Sequence, residues 1–527
     1  MRAMDYKAKK ESFVSNGQGG GSLELLVISF NLMLTIFLWR LIQNLTGHQK
    51  HLAISLSIEF LILIFPILAF TTFLSNKLWS SAIFLSSITL IILVKFHDAF
   101  RPSTIKANHH PSSQDFQPQT SDGQSSNNQI RHQSNHGIII NKSSNQIVHP
   151  ISSDTLLMPE IRFQQPFLTV YRSQMMLMTV ICILAVDFNV FPRKFAKTES
   201  WGVSLMDLGV GSFVFSSGIM SALPILKQTP TCKSWTIDLW KNTRSTMPLL
   251  VLGIIRIILV KGADYPEHVT EYAVHWNFFF TLSILPTVGV LVRRAYKTYR
   301  LDFTLLGFLT ALAYQYILSA IGLQDYVLSE APRTNLISAN REGLASIPSY
   351  IIIYLFGLST GCYVLPFSPD FLRKLSQGVA FDKLCKRKPG KALVVYSSWS
   401  IIWWIVYLGS ASLISKPSRR LANPTYCFWV AAMNLTLITG NCLFESIELD
   451  CSGFLHNQVL SSPPKFFQSI NQNSLFVFLI SNLLTGLINF RIETIFVTNM
   501  LAIITLLFYL VIILALTWKL RNYKLKI

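Results

Sequence analysis

Runs of about 20 apolar residues recur along most of this chain, and they limit its fold more than any other feature. A helix of that length crosses the hydrocarbon core of a bilayer with its backbone hydrogen bonds satisfied internally. The composition agrees, because only 13% of the 527 residues are charged, whereas soluble domains carry about 25%. The sequence therefore predicts an all-α, polytopic integral membrane protein.

Hydropathy predicts about 13 transmembrane helices. They lie near residues 23–45, 52–72, 78–96, 167–187, 203–222, 246–261, 273–293, 301–322, 343–365, 393–414, 424–444, 472–490 and 495–518. This pattern divides the chain into an N-terminal segment with the first three spans (1–96), a central loop (97–165) and a membrane core of ten spans (166–527) that carries the predicted catalytic site.

The central loop is polar along most of its length. Its stretch PSSQDFQPQTSDGQSSNNQIRHQSNHG is rich in Ser, Gln, Asn and Pro, so it cannot bury enough apolar surface to fold. We predict a disordered cytoplasmic loop. His110 and Asp115 have the HxxxxD spacing of some soluble acyltransferases, but in such a tract we interpret the match as chance.

Loop charge predicts the orientation of the chain. The formal net charge is +19, and we assign no nucleic-acid partner because the basic residues are scattered over many short loops, as cytoplasmic loops facing anionic lipid require. With an odd number of spans, the basic loops fall on one side; they contain Lys227 to Arg244, Arg293 to Arg300, RKLSQGVAFDKLCKRKPGK and the tail KLRNYKLKI. The C-terminus is then cytoplasmic and the N-terminus lumenal or extracellular.

The loops predicted on the opposite side of the membrane contain residues that are unusual for that location. Two basic clusters, Arg193-Lys194-Lys197 and Arg419-Arg420, lie there against the orientation rule. Residues that break such a rule are good functional candidates.

Asp187 ends the fourth predicted span, and Lys197 follows it across Pro192. The proline and the surrounding phenylalanines predict an irregular segment, which membrane depth tolerates only where protein or a cavity surrounds it. Burial would raise the pKa of the carboxylate, and the two charges would perturb each other. We favour a functional site over a structural ion pair, since ionisable groups in membranes are costly.

Three further groups of polar residues have open interpretations. Asp207 shares a helical face with Ser204, where a packing contact and a substrate contact are equally plausible. His268, Glu271 and His275 also share a face; we favour a polar network in a substrate cavity, together with Trp276 and Asn277, over a metal site. Asn482, Thr485 and Asn489 share a face suited to interhelical hydrogen bonds.

Two arginine-bearing loops complete the candidates. Asn340 and Glu342 fit the chemistry of a helix start, but that interpretation leaves Arg341 unexplained. Arg419 and Arg420 could bind phosphate or anchor the loop at the interface.

Six stretches together resemble one family, the glycosylphosphatidylinositol (GPI) inositol acyltransferases, in a fungal form. They are FVSN, ILAVDFNVFPRKFAKTESWGVSLMDLGVGSFVFSSG, EHVTEYAVHWNFFFTL, APRTNLISANREG, SRRLANPTYCFWV and SNLLTGLIN, and they run from residue 13 to residue 489 in the family's order. Departures are local: Asn189 stands where a proline is usual, Lys194 where an arginine is usual, and Ala273 where a glycine is common.

The resemblance implies transfer of a fatty acyl group, usually palmitoyl, from acyl-CoA to the 2-hydroxyl of inositol in glucosaminyl-phosphatidylinositol, within the endoplasmic-reticulum membrane and among its lipids. It implies Asp187 and Lys197 as the catalytic pair, no metal and no permanently bound cofactor. From the residues themselves, we expect the remaining polar candidates to bind the substrates: Arg193, Trp201, Asp207, His268, Glu271, His275, Trp276, Asn277, Asn340, Arg341, Glu342, Arg419, Arg420, Asn423 and Asn482.

The residues alone also allow a polytopic lipid transporter or flippase. Many spans and polar groups near the membrane fit that class, but an inverted internal repeat, which would favour it, is not evident in the sequence.

Overall fold

The structure of the chain is a computed structural model. It describes residues 17–46, 51–95, 165–228, 234–262, 274–329, 331–379, 389–452 and 462–523, with parts of 6–15 and residue 525. The predicted disordered loop (97–165) lies outside the described residues except for Gln165, so that prediction stays untested.

All regular elements of the described residues are helical, which confirms the all-α prediction. In chain order the helices are α1 (Ser22–Thr46), α2 (Leu52–Thr71, with a π-helical turn at Phe60–Ile64), α3 (Leu78–Lys95), α4 (Pro166–Ala185), α5 (Leu205–Ser221), α6 (Leu223–Leu226), α7 (Trp235–Gly262), α8 (Phe278–Tyr299), α9 (Phe303–Ser319), α10 (Leu323–Leu328), α11 (Leu336–Ala339), α12 (Arg341–Val364), α13 (Phe371–Ser376), α14 (Pro389–Leu413), α15 (Pro424–Ser452), α16 (Lys465–Gln472), α17 (Ser474–Arg491) and α18 (Asn499–Lys519).

Eleven helical segments among the described residues are long and apolar enough to cross a membrane. They include every predicted span except two: α9 is apolar but shorter than the others, and α7, which contains the span predicted at 246–261, is not among the eleven. The polytopic membrane fold is confirmed, and the count of about 13 spans stays a prediction.

Helices α5 and α12 pack closely along small residues. A Cβ atom added at Gly357 in α12 would lie 2.2 Å from the backbone oxygen of Phe215 in α5. In a bilayer, lipid is as apolar as leucine, so close packing through small residues drives helix association. This contact fixes α5, whose first turn carries part of the candidate site.

Aromatic side chains join α9, α12, α14 and α15. Phe356 packs against Trp403 with ring centroids 4.4 Å apart, and Phe308 stacks on Trp403 at 5.5 Å. Rings in such tilted and offset pairs contribute about 0.5–1.5 kcal/mol each beyond their buried area. The cluster holds the helices whose ends carry the arginine-rich loops.

The loops that the sequence places on one side meet at one end of the bundle. The amide of Gly202, before α5, donates to the Pro417 carbonyl before α15 at 2.8 Å. The amide of Val274, before α8, donates to the Ala339 carbonyl before α12 at 3.1 Å. These contacts between loops distant in sequence assemble a single layer over the helix ends.

Candidate functional site

The site is built on the segment 186–204, which joins α4 to α5. Its three phenylalanines, Phe188, Phe191 and Phe195, are fully buried, and a single 3-10 turn follows Pro192. The irregular segment predicted from the sequence is therefore confirmed. Protein surrounds its backbone, which is the condition for non-helical chain at this depth.

Asp187, at the start of this segment, is buried and has two polar partners. The Nζ atom of Lys10 lies 3.3 Å from its Oδ1, and the Nδ2 atom of Asn489 donates to its Oδ2 at 2.7 Å. Lys10 also donates to the Oδ1 atom of Asn489 at 2.8 Å. Three buried or half-buried side chains from distant parts of the chain thus form one closed polar cluster, which we call the Asp187 cluster.

The cation on the Asp187 carboxylate is Lys10, whereas the sequence suggested Lys197. Lys197 lies on the same irregular segment, half-buried. Lys10 comes from the N-terminal segment, 177 positions away in sequence, so no local spacing could reveal it. The sequence analysis did identify Asn489, but as a residue for interhelical contacts.

The N-terminal segment is held against the site by glycines. The Glu199 amide donates to the Gly17 carbonyl at 3.1 Å, and a Cβ atom at Gly17 would lie 2.1 Å from the Lys197 carbonyl oxygen. Gly19 has a φ of +78°, which side chains rarely adopt. The glycines of GQGGG thus allow the backbone contact that brings Lys10 toward Asp187, a role that the sequence analysis missed.

Arg193 organises the turn around Asp187. Its Nη2 atom donates to three carbonyls of the segment, the shortest bond being 2.8 Å to Val186. Its guanidinium also lies 4.0 Å from the ring centre of Phe13. Burial lowers the pKa of Arg193 to about 10, although nearby Asp187 opposes that shift, so the group stays protonated at neutral pH.

Asp207 forms a second buried cluster with Arg419. The Nε atom of Arg419 lies 3.0 Å from its Oδ1, and the hydroxyls of Thr198 and Ser204 each donate to its Oδ2 at 2.8 Å. Ser204 is also the N-cap of α5 and accepts from the Asp207 amide. All of these partners are side chains of the loops around α5. The arrangement therefore favours a packing role for Asp207 over a substrate contact.

Three arginine side chains lie around the carboxylate of Glu342. Arg333 donates to both of its carboxylate oxygens at 2.9 and 2.6 Å, Arg341 lies 3.5 Å from it, and Arg420 lies 3.6 Å from it. The hydrogen bond to Glu342 raises the pKa of Arg333, which lies in the loop before α11. Arg333 was not among the sequence candidates, although it belongs to the APRTN stretch.

The loop before α8 joins the same layer. The His275 amide donates to the Oδ1 atom of Asn340 at 2.9 Å, and Trp276 donates to Thr281 at 3.1 Å. Asn277 caps α8 by accepting from the Phe279 amide. His268 and Glu271 lie outside the described residues, and in the described part of the chain no three metal-ligand side chains lie together.

Three remaining candidates have different surroundings. Asn423 accepts from the Ser418 and Tyr426 amides and so shapes the start of α15. Trp201 is half-buried on the 186–204 segment. Asn482 is exposed on α17 and donates back to the Phe478 carbonyl of its own helix, so it does not share the contacts of Asn489.

Comparison with known proteins decides the family. A family model described as GWT1 matches residues 6–520, which include Lys10, the 186–204 segment, both arginine-rich loops and Asn489. The chain belongs to the GWT1 family. This is the family of GPI inositol acyltransferases, so the resemblance stated above is confirmed, and the chain is an inositol acyltransferase of GPI-anchor biosynthesis.

Relatives in several fungi share the name "GPI-anchored wall transfer protein 1". The Aspergillus fumigatus protein is 34% identical over an alignment of 547 positions that covers 99% of each chain. The Cryptococcus neoformans var. neoformans serotype D protein is 41% identical, covering 69% of this chain and 63% of the relative. The Candida albicans protein is 38% identical, covering 68% of this chain and 74% of the relative.

Proposed function

We propose that this GWT1-family protein transfers a palmitoyl or similar fatty acyl group from acyl-CoA to the 2-hydroxyl of inositol in glucosaminyl-phosphatidylinositol. The observation that carries the proposal is the Asp187 cluster, a carboxylate buried at the end of a membrane span and fixed by Lys10 and Asn489. An ionisable group kept at such cost in a membrane points to function.

Asp187 acts as the general base in this proposal. One carboxylate oxygen accepts the proton of the inositol hydroxyl as that oxygen attacks the thioester carbonyl. The new C–O bond forms, the C–S bond breaks, and the thiolate of coenzyme A leaves and takes up the proton that Asp187 accepted, which restores the carboxylate. General-base catalysis by a positioned carboxylate contributes about 10²–10⁴-fold to a rate.

The Asn489 amide and the Lys10 ammonium orient the Asp187 carboxylate. Each binds a different oxygen of Asp187, and a carboxylate has about four lone-pair sites, so it keeps acceptor capacity for a substrate hydroxyl. Lys10 is a positioning residue here, and Lys197 is the cation that we assign to the developing oxyanion. Donors aimed at such charge are worth about 3–4 kcal/mol each. The reverse roles, with neutral Lys197 as base, remain the alternative from the sequence.

The two arginine clusters support the substrate-binding layer around the reacting groups. Arg419 and Arg420 are engaged by Asp207 and Glu342, so we assign them first to holding the loops in place. We place the enzyme in the endoplasmic-reticulum membrane, with the N-terminus lumenal and the C-terminus cytoplasmic, in accord with the loop charges.

The test uses purified protein in detergent with isotope-labelled palmitoyl-CoA and a short-chain glucosaminyl-phosphatidylinositol. Mass spectrometry with fragmentation locates the label, and we expect it on the inositol ring, with release of free coenzyme A in equal amount. A labelled acyl phospholipid in place of palmitoyl-CoA is the matched donor control and should give no product. Label on inositol from the phospholipid alone would contradict the proposed donor.

The roles of the two candidate groups are separated by Lys197→Ala. If Lys197 stabilises the oxyanion, kcat falls by about 10²–10³-fold in Lys197→Ala, while Lys197→Arg, which keeps the cation, retains much of the transfer. Equal loss in both variants would instead assign the base to Lys197, because an arginine side chain is not deprotonated in proteins.

A further inference from the structure

A cavity of about 700 Å³ lies at the end of the bundle opposite the Asp187 cluster. It is formed by the residues that follow α5, by the last turns of α8 and by α13. Its size falls within the range of about 300–1,000 Å³ typical of small-molecule sites. It is separated from the start of α5 by the length of that helix, 17 residues, or about 25 Å.

The charged residues among the described lining of this cavity are all basic. Four basic side chains line it, Arg293, Lys297 and Arg300 from the α8 end and Arg373 from α13. None of its described lining residues is an aspartate or glutamate. Four like charges around one space repel one another, so a bound anion would lower the energy of the arrangement.

Basic residues beside the cavity have carboxylate partners of their own. Arg294 lies 2.7 Å from Asp238, and Lys374 and Lys391 lie 2.9 and 2.8 Å from Asp370. Although burial alone would raise it, hydrogen bonds from Lys391, Ser368 and Lys374 hold the pKa of Asp370 below its usual value. The nearby acids are therefore already engaged by other cations.

The Nε atom of Arg293 gives a second, independent sign of a ligand. It is buried and has no hydrogen-bond partner among the residues that the structure describes. A buried donor left without a partner costs about 1–3 kcal/mol. Because this atom is closed off from the cavity, the Arg293 side chain would have to turn toward a phosphate oxygen to satisfy it.

The backbone around the cavity is unusual as well. Gln228 and Arg300 have φ angles of +48° and +51°, and they are two of the three non-glycine residues with positive φ in the described chain. Tyr296 holds Arg300, with the guanidinium 5.6 Å from its ring centre. Both residues follow the last turn of a helix, where the left-handed conformation is common, so they shape the rim of the cavity.

We propose that this cavity binds the phosphate groups of a ligand, either those of coenzyme A or those of an anionic lipid headgroup. Arginine suits phosphate because its planar fork donates two parallel hydrogen bonds. The coenzyme A source rests on the proposed acyl donor, whereas the lipid source does not. An elongated donor whose phosphates lie here would direct its acyl end into the bundle.

The test measures coenzyme A binding by equilibrium dialysis with protein in nanodiscs of phosphatidylcholine. The variants are Arg293→Gln and Arg373→Gln, and the matched control is Arg244→Gln, an exposed arginine of α7. Losing one charge-assisted phosphate contact should weaken binding about tenfold, with less than a twofold change in Arg244→Gln. Arg293→Lys, which keeps the charge without the fork, should lie between wild type and Arg293→Gln. Size-exclusion elution shows that each variant is folded.

A parallel arm distinguishes the source of the phosphate. In nanodiscs that contain phosphatidylinositol, native mass spectrometry counts the lipids retained by wild type and by each variant. Weaker coenzyme A binding in both cavity variants supports the coenzyme A source; unchanged coenzyme A binding with loss of retained phosphatidylinositol supports the lipid headgroup. If both are unchanged, or if Arg244→Gln weakens binding equally, the proposal is overturned.

The same preparations separate this proposal from the proposed function. Wild-type protein that transfers no acyl group from palmitoyl-CoA contradicts the function, while the binding measurements still decide what the cavity holds. Wild-type transfer with unaltered binding in the cavity variants contradicts the cavity proposal alone.

Discussion

Asp187 and Asp207 are both buried at the same end of the bundle, but their partners differ. Asp207 is satisfied by an arginine, two hydroxyls and a backbone amide, so its lone pairs are occupied by the framework. Asp187 has one lysine and one amide as partners, which leaves acceptor capacity for a substrate hydroxyl. At the scale of single residues, this difference is the reason why we propose a catalytic role for Asp187 and a structural role for Asp207.

Lys10→Met tests whether Lys10 positions Asp187. Removing one member of a buried ion pair leaves an uncompensated charge and costs about 3–5 kcal/mol, so we expect a lower melting temperature and a fall in acyl transfer of about tenfold or more. Lys10→Arg should restore much of the activity. Lys9→Met, at the exposed neighbouring position, is the matched control. Equal loss in Lys9→Met would contradict a specific role for Lys10.

Asp207→Asn should act on stability instead. The change leaves Arg419 buried with a neutral partner, and we expect a loss of about 3–5 kcal/mol, measured by thermal unfolding in detergent. The protein that remains folded at low temperature should keep acyl transfer within about threefold of wild type. A fully stable but inactive Asp207→Asn protein would contradict this assignment.

At the scale of elements, the N-terminal segment is part of the site, although it precedes α1, the first helix long enough to cross a membrane. Its glycines let the chain lie directly on the 186–204 segment, with the Gly17 carbonyl accepting from the Glu199 amide. The segment thereby carries Lys10 and Phe13 to Asp187 and Arg193. We infer that the site is complete only when this segment is docked.

Gly17→Ala tests the docking. The added methyl group would meet the Lys197 carbonyl, and overpacking of this kind costs about 1–3 kcal/mol. We expect faster proteolysis of the N-terminal segment and a parallel loss of acyl transfer. Gly409→Ala is the control, because a Cβ atom there meets nothing within 4 Å. Unchanged proteolysis and activity in Gly17→Ala would show that the segment tolerates displacement.

At the scale of the whole molecule, the sequence predicted the membrane fold and the end of the bundle that carries the site. Apolar length indicates spans by itself, and the basic clusters that break the predicted orientation rule marked the loops that meet. It could not predict Lys10 or the arginine pairings, because these contacts join segments far apart in the chain and depend on helix packing. From the sequence, Arg419 and Arg420 could bind phosphate or anchor the loop, and their pairing with Asp207 and Glu342 could not be predicted.

The orientation of the whole chain is a further prediction. Glycan acceptor tags added to the two termini and expressed with microsomes should be modified at the N-terminus and not at the C-terminus, since the basic loops favour the cytoplasmic side. Modification of the C-terminal tag alone would reverse the topology and place the Asp187 cluster at the cytoplasmic face.

The most direct test of the central claim is acyl transfer by Asp187→Asn, measured by mass spectrometry at equal amounts of folded protein. We predict that transfer to inositol by the folded protein falls by about 10²-fold or more, and that the melting temperature falls as well because Lys10 loses its buried partner. Asp325→Asn, an exposed carboxylate in α10, should transfer normally. Wild-type transfer by Asp187→Asn would contradict the account, because the buried carboxylate would then be structural.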